Sequence, residues 1–140
     1  MLKRVVVAGI TVSALLVAGS VTGLQAQQMA PPGGEYKKVS TLVALPDFVP
    51  GLGTLYVDPK TLPAGPFLAY DRAGKLVSSV YMIPVKDLTA HKAFNGLAAA
   101  KEKVDHVDLY YNAGHPGVAE PHYHVVIWYV SPQQAAALKQ

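Results

Sequence analysis

Four of the five histidines of this 140-residue chain, His106, His115, His122 and His124, fall within nineteen residues of one another. Neutral imidazole is a good nitrogen donor for transition metals at physiological pH. The chain has no cysteine. Any metal site must therefore use His, Asp, Glu or backbone oxygen, which excludes iron–sulfur clusters and thiolate zinc sites. His122 and His124 carry the most weight. Two residues apart on a strand, they project to one face with Cα atoms about 6.5 to 7 Å apart, which lets both rings converge on one ion. His115, between Gly114 and Pro116 in a loop bracketed by Tyr111 and His122, is the third ligand expected. Glu120 or His106 would complete the shell, with Asp108 behind to orient an imidazole. A simple hairpin sets Tyr111 opposite His122 and carries His106 several residues down the ladder, so His106 needs another register or non-adjacent strands.

Three imidazoles and an open position suit a divalent ion, zinc first, with copper, nickel and ferrous iron also compatible. A water on such an ion would be activated for hydrolysis. The sequence shows neither a base nor an oxyanion donor to go with it, so the pattern points to binding and assigns no catalytic residue. A metal-dependent enzyme acting on a small periplasmic molecule is the rival reading. The competing structural account has His122 and His124 filling a polar rim, His115 capping a turn and His106 bonded to Asp105 or Asp108, in a pure assembly module.

These residues must be positioned by the elements around them. Alternating apolar and polar residues predict strands over Val104 to Tyr111 and His122 to Val130, joined by the Gly- and Pro-containing loop. The second would turn Tyr123, Val125, Ile127 and Tyr129 to one face and His124, Val126 and Trp128 to the other. Tyr110, Tyr111 and their aromatic neighbours read as strand formers, with a ligand groove as the alternative. Upstream, strands are expected over Tyr36 to Leu45 and Thr54 to Val57. Phe67 to Tyr70 and Leu76 to Val85 flank the polar link Asp71 to Lys75, whose late Gly74 suits a bulged hairpin turn. Lys86 to Lys103 reads as one amphipathic helix with a weak point at Asn95-Gly96. Ser131-Pro132 marks the start of a short helix over Gln133 to Lys139. The string predicts an α+β fold: a mainly antiparallel sheet, one central amphipathic helix and a short C-terminal helix. A sheet apolar on both faces calls for a helix over one and a neighbouring subunit over the other, hence a homo-oligomer.

The chain opens on Lys3 and Arg4 followed by an apolar run from Val5 to Ala18 and a Leu24-Gln25-Ala26 ending, which reads as a signal peptide over residues 1–26. The run is shorter than the roughly 20 residues of a spanning helix, so no membrane association is expected after cleavage. Gln27 to Gly34, ending in Pro-Pro-Gly-Gly, reads as part of a disordered leader over residues 27–35, ahead of a single domain over 36–140. Cleavage would leave 114 of 140 residues, with 10 basic side chains against 9 acidic once Lys3 and Arg4 are gone. A formal charge near +1 gives no electrostatic footprint for nucleic acid. The expected location is the periplasm or the exterior.

The run Tyr110-Tyr111-Asn112-Ala113-Gly114-His115-Pro116-Gly117, with Glu120-Pro121-His122-Tyr123-His124, resembles the signature of a family of exported bacterial domains of unknown function. That family includes a secreted Thermus protein controlled by an extracytoplasmic-function sigma factor. The resemblance is densest from Val104 to Val130 and extends back to Tyr36. It implies export, an α+β sheet, a closed oligomer and a role in envelope stress. Many relatives carry an acidic residue where His124 stands and a His where Val126 stands, so the resemblance leaves one ligand position moved or lost. The cupin metal motif is only a weak analogy, because no Glu follows His122-x-His124 at the downstream spacing it requires.

Overall fold

The computed structural model describes residues 28–140; the expected signal peptide, residues 1–26, lies outside the described residues. Its strands are β1 (Lys37–Lys38), β2 (Thr54–Val57), β3 (Phe67–Tyr70), β4 (Leu76–Pro84), β5 (His106–Asn112) and β6 (His122–Trp128), with helices α1 (Val85–Thr89) and α2 (Pro132–Ala137). They form one six-stranded sheet in the order β1-β2-β3-β4-β6-β5, with every neighbouring pair antiparallel.

The apolar run of β4 is buried along its whole length, as a central strand covered on both faces must be. The β3–β4 hairpin takes the expected bulge, with a register shift between Ala69 and Tyr70 and Gly74 at φ 78° in the link. On one face Val57, Phe67, Val80, Met82, Val126 and Trp128 form the main core. The chain between β1 and β2 packs over it through Val43, Leu45, Phe48 and Leu52, and Leu138 closes one side. On the other face Leu68, Tyr70 and Leu76 collect Ala30, Tyr36, Ala100 and Tyr129. The stretch expected as a disordered leader contributes here: Met29 bridges Lys75, and the Ala30 amide donates to the Gly74 carbonyl at 2.8 Å.

Two expected elements are different. The central amphipathic helix is absent: α1 stops at Thr89, five residues long, and His91 turns the chain at φ 57°. Leu88 and Leu97, which such a helix would bury, remain exposed. The rest of the segment runs in irregular conformation, with Gly96 at φ 66°. It places the Ala98 carbonyl as acceptor for the buried Tyr81 hydroxyl and Ala100 against the second core. Satisfying a buried phenol and covering that core outweighs the modest helix propensity of the run. Similarly, only Lys37–Lys38 of the expected first strand pairs with β2. A 3-10 turn at Val39–Thr41 then sends the β-branched stretch across the sheet, where its side chains are worth more as a cover than on an edge.

The C-terminal helix starts as its sequence dictates. The Ser131 hydroxyl accepts from the Gln134 amide while the Gln134 side chain accepts from the Ser131 amide, a capping box, with Pro132 at the first helical position.

Candidate metal centre

β6 lies between β4 and β5, and its burial alternates strictly: His122, His124, Val126 and Trp128 inward, Tyr123, Val125 and Ile127 half-buried. The period-2 geometry of a strand thus puts both histidines on the main-core face at the end of the sheet. The β5–β6 register pairs Asn112 with His122, Tyr110 with His124, Asp108 with Val126 and His106 with Trp128. This is one residue away from the expected pairing of Tyr111 with His122. That single step brings Asn112, Tyr110 and Asp108 onto the histidine face.

The β5–β6 loop delivers the third imidazole. The Asn112 side chain accepts from the Gly114 amide at 2.9 Å, and His115 and Val118 exchange backbone hydrogen bonds of 2.9 Å each. Gly114, at φ 130°, passes so close to the next turn that a Cβ there would meet the Ala119 carbonyl oxygen at 2.5 Å. Gly117, at φ 87°, would likewise drive a Cβ to 2.8 Å from Val43. The two glycines fold the loop back over the strand ends.

His115, His122 and His124 each offer a nitrogen, and these atoms lie within 4.8 Å of one another. The Nε2 atoms of His122 and His124 are 3.0 Å apart. Zinc–nitrogen bonds of about 2.0–2.1 Å in a tetrahedral shell put ligand nitrogens roughly 3.3 Å apart, so small ring movements would seat an ion. The hydrogen bonds on the far sides of the rings set their tautomers. His122 Nδ1 donates to the Glu120 carbonyl at 2.7 Å and His115 Nδ1 donates to the Pro116 carbonyl at 3.0 Å, because a carbonyl can only accept. In its neutral form each ring then presents a bare Nε2. His124 Nδ1 is 3.1 Å from the Tyr110 hydroxyl. In the metal-free protein Tyr110 donates to that nitrogen and His124 Nε2–H donates to His122. With an ion on Nε2 the His124 proton would sit on Nδ1, where the Tyr110 oxygen could accept it. Burial lowers the His124 pKa to about 4, with the neighbouring His122 and His115 acting in the same direction.

The other expected ligands stand elsewhere. The Glu120 carboxylate is held by Lys86 at 2.7 Å, and only its backbone carbonyl serves the cluster. His106 bonds Asp105 at 2.8 Å and stacks on Trp128, with ring centroids 5.9 Å apart. Asp108, expected behind an imidazole, accepts instead from the Trp128 indole at 2.8 Å. Tyr110 orients His124, a role the sequence reading missed; the correct register was the signal that would have found it. His115 and His124 also border a cleft of about 820 Å³, whose walls are mainly aliphatic.

A solved structure now bears on this geometry: the crystal structure of hypothetical protein TTHB210 from Thermus thermophilus is 50% identical, with a TM-score of 0.61 over 69% of this chain and 89% of that one. This chain belongs to the family of that Thermus protein. No protein-family model matches the chain, and no curated protein matches it. The Thermus relative is described only as hypothetical, so the chemistry of this family member rests on its own residues.

Proposed function

We propose that this protein is an exported, self-associating metal binder. It would hold one divalent ion, zinc foremost, on His115, His122 and His124, with the remaining coordination position toward the cleft. The observation that carries the reading is the convergence of these three imidazoles within 4.8 Å, two of them already locked in the tautomer that presents a bare nitrogen. A shell closed by a fourth protein ligand is disfavoured, because the Glu120 carboxylate is tied to Lys86 and His106 sits against Trp128. An ion with an open position suits metal handling or ligand capture in the envelope, including under stress.

The cationic start and apolar run before Ala26 support export to the periplasm or beyond. The outward face of edge strand β5 supports self-association: Val107, Leu109 and Tyr111 are 55%, 66% and 55% exposed. A second reading, metal-dependent hydrolysis of a small molecule, is favoured by the cleft beside the open position. Zinc-dependent turnover of a small ester that disappears in a His124→Ala variant would support it.

The deciding experiment is elemental analysis of the purified protein beside a His122→Ala/His124→Ala double variant. Near-stoichiometric metal that vanishes in the variant is expected. Metal in neither sample, after soaking and desalting, would overturn the proposal.

A further inference from the structure

The cleft beside the histidines has a divided chemistry. Its volume of about 820 Å³ falls within the range of about 300–1,000 Å³ common for small-molecule sites. Val43, Leu52, Leu55, Phe67 and Met82 contribute apolar walls. His115 and His124 bring the polar triad to the same space. Imidazole donors bring no negative charge to a divalent ion, and the one carboxylate lining the cleft among the described residues, Asp108, is directed to the Trp128 indole and is not among the three converging nitrogens. The groups a ligand must satisfy are thus a cationic metal position and a set of aliphatic walls.

We infer that the cleft binds an amphiphilic monocarboxylic acid, whose carboxylate occupies the open position of the ion held by His115, His122 and His124 and whose aliphatic tail lies along Leu52, Leu55 and Phe67. The inference rests on the metal reading above. Carboxylate oxygen is an ordinary zinc ligand at about 2.0–2.2 Å, and it supplies the negative charge that the protein's own donors lack. The apolar walls select the tail by area and not by hydrogen bonding, so chain length is read more finely than chain identity. One other cation borders the cleft, Lys139, and it is the alternative anchor that the test must separate.

Trp128, the only tryptophan of the chain, borders the cleft and reports its occupancy. Zinc-loaded and chelator-stripped protein would be titrated with decanoate and, separately, 1-decanol, following Trp128 emission. Saturable decanoate binding is expected, weakened at least about tenfold by zinc removal or by replacing the carboxylate with the alcohol. A Leu55→Phe variant, which narrows the cleft, should lose the decanoate response and keep its zinc; the decanol comparison stands even if that variant fails to fold. Zinc bound with no decanoate response would overturn the inference and leave the metal reading intact. Equal decanoate binding with and without zinc, or binding abolished by Lys139→Ala, would overturn the metal anchor. Failure to bind zinc would remove both.

Discussion

At the scale of single residues, the centre depends on what stands behind each imidazole. Backbone carbonyls fix His122 and His115, but the partner of His124 is a side chain, the Tyr110 hydroxyl, and so can be removed without disturbing the strand. Tyr110→Phe should leave the fold intact and weaken zinc about 10- to 100-fold, the usual effect of losing such a partner, measured by competition with a chromophoric chelator. Burial of His124 also has a pH consequence. Its folded pKa of about 4 lies below the ordinary value of 6.5, so the unfolded chain takes up a proton first as pH falls. The stability this neutral ring contributes is complete above pH 6.5 and is lost as pH falls through about 4. Melting temperatures of metal-free protein between pH 7.5 and pH 4 should therefore fall, and fall less in His124→Gln. Parallel curves for the two proteins would contradict this assignment.

At the scale of elements, the β5–β6 hairpin and its loop create the site. Neither strand end holds three histidines alone; the loop brings His115 back because Gly114 and Gly117 adopt backbone conformations closed to other residues. Gly114→Ala places a methyl group against the Ala119 carbonyl. It should cost about 1–3 kcal/mol of stability by denaturant unfolding and reduce bound metal by displacing His115, while β4 and β6 stay paired. Unchanged metal content would show that the loop is less constrained than its contacts indicate. The hairpin itself was legible in the alternation of Tyr123 to Trp128, but its register was not. Glycine and asparagine at the loop start allow more than one pairing, and the Asn112 turn onto the Gly114 amide selects the observed one.

For the whole molecule, the main question is what covers the outer face of β5 and β6. Among the described residues β5 is the sheet edge, and Leu109 and its neighbours form an apolar strip along it. Monomers seldom tolerate that arrangement. Leu109→Lys should shift the sedimentation profile toward monomer and leave metal content unchanged, because Leu109 points away from the histidines. A native profile that is already monomeric would refute self-association.

The sequence by itself determined the local features that depend on spacing and residue type. These are the two histidines on one strand face, the bulged hairpin around Gly74, the capped C-terminal helix and the antiparallel sheet. It also pointed to His115 as a neighbour of that pair, since a side chain in a short hairpin loop is bound to return near the strand ends. Tertiary structure decided what depends on distant partners. Lys86 captured the Glu120 carboxylate, Trp128 took both His106 and Asp108, and Tyr110 reached His124. The long amphipathic pattern after Lys86 yielded to a buried tyrosine that needed a carbonyl, and the first strand yielded to a core that needed a cover. Periodicity records which side chains share a face, but competition among those side chains for partners is settled only when the chain is packed.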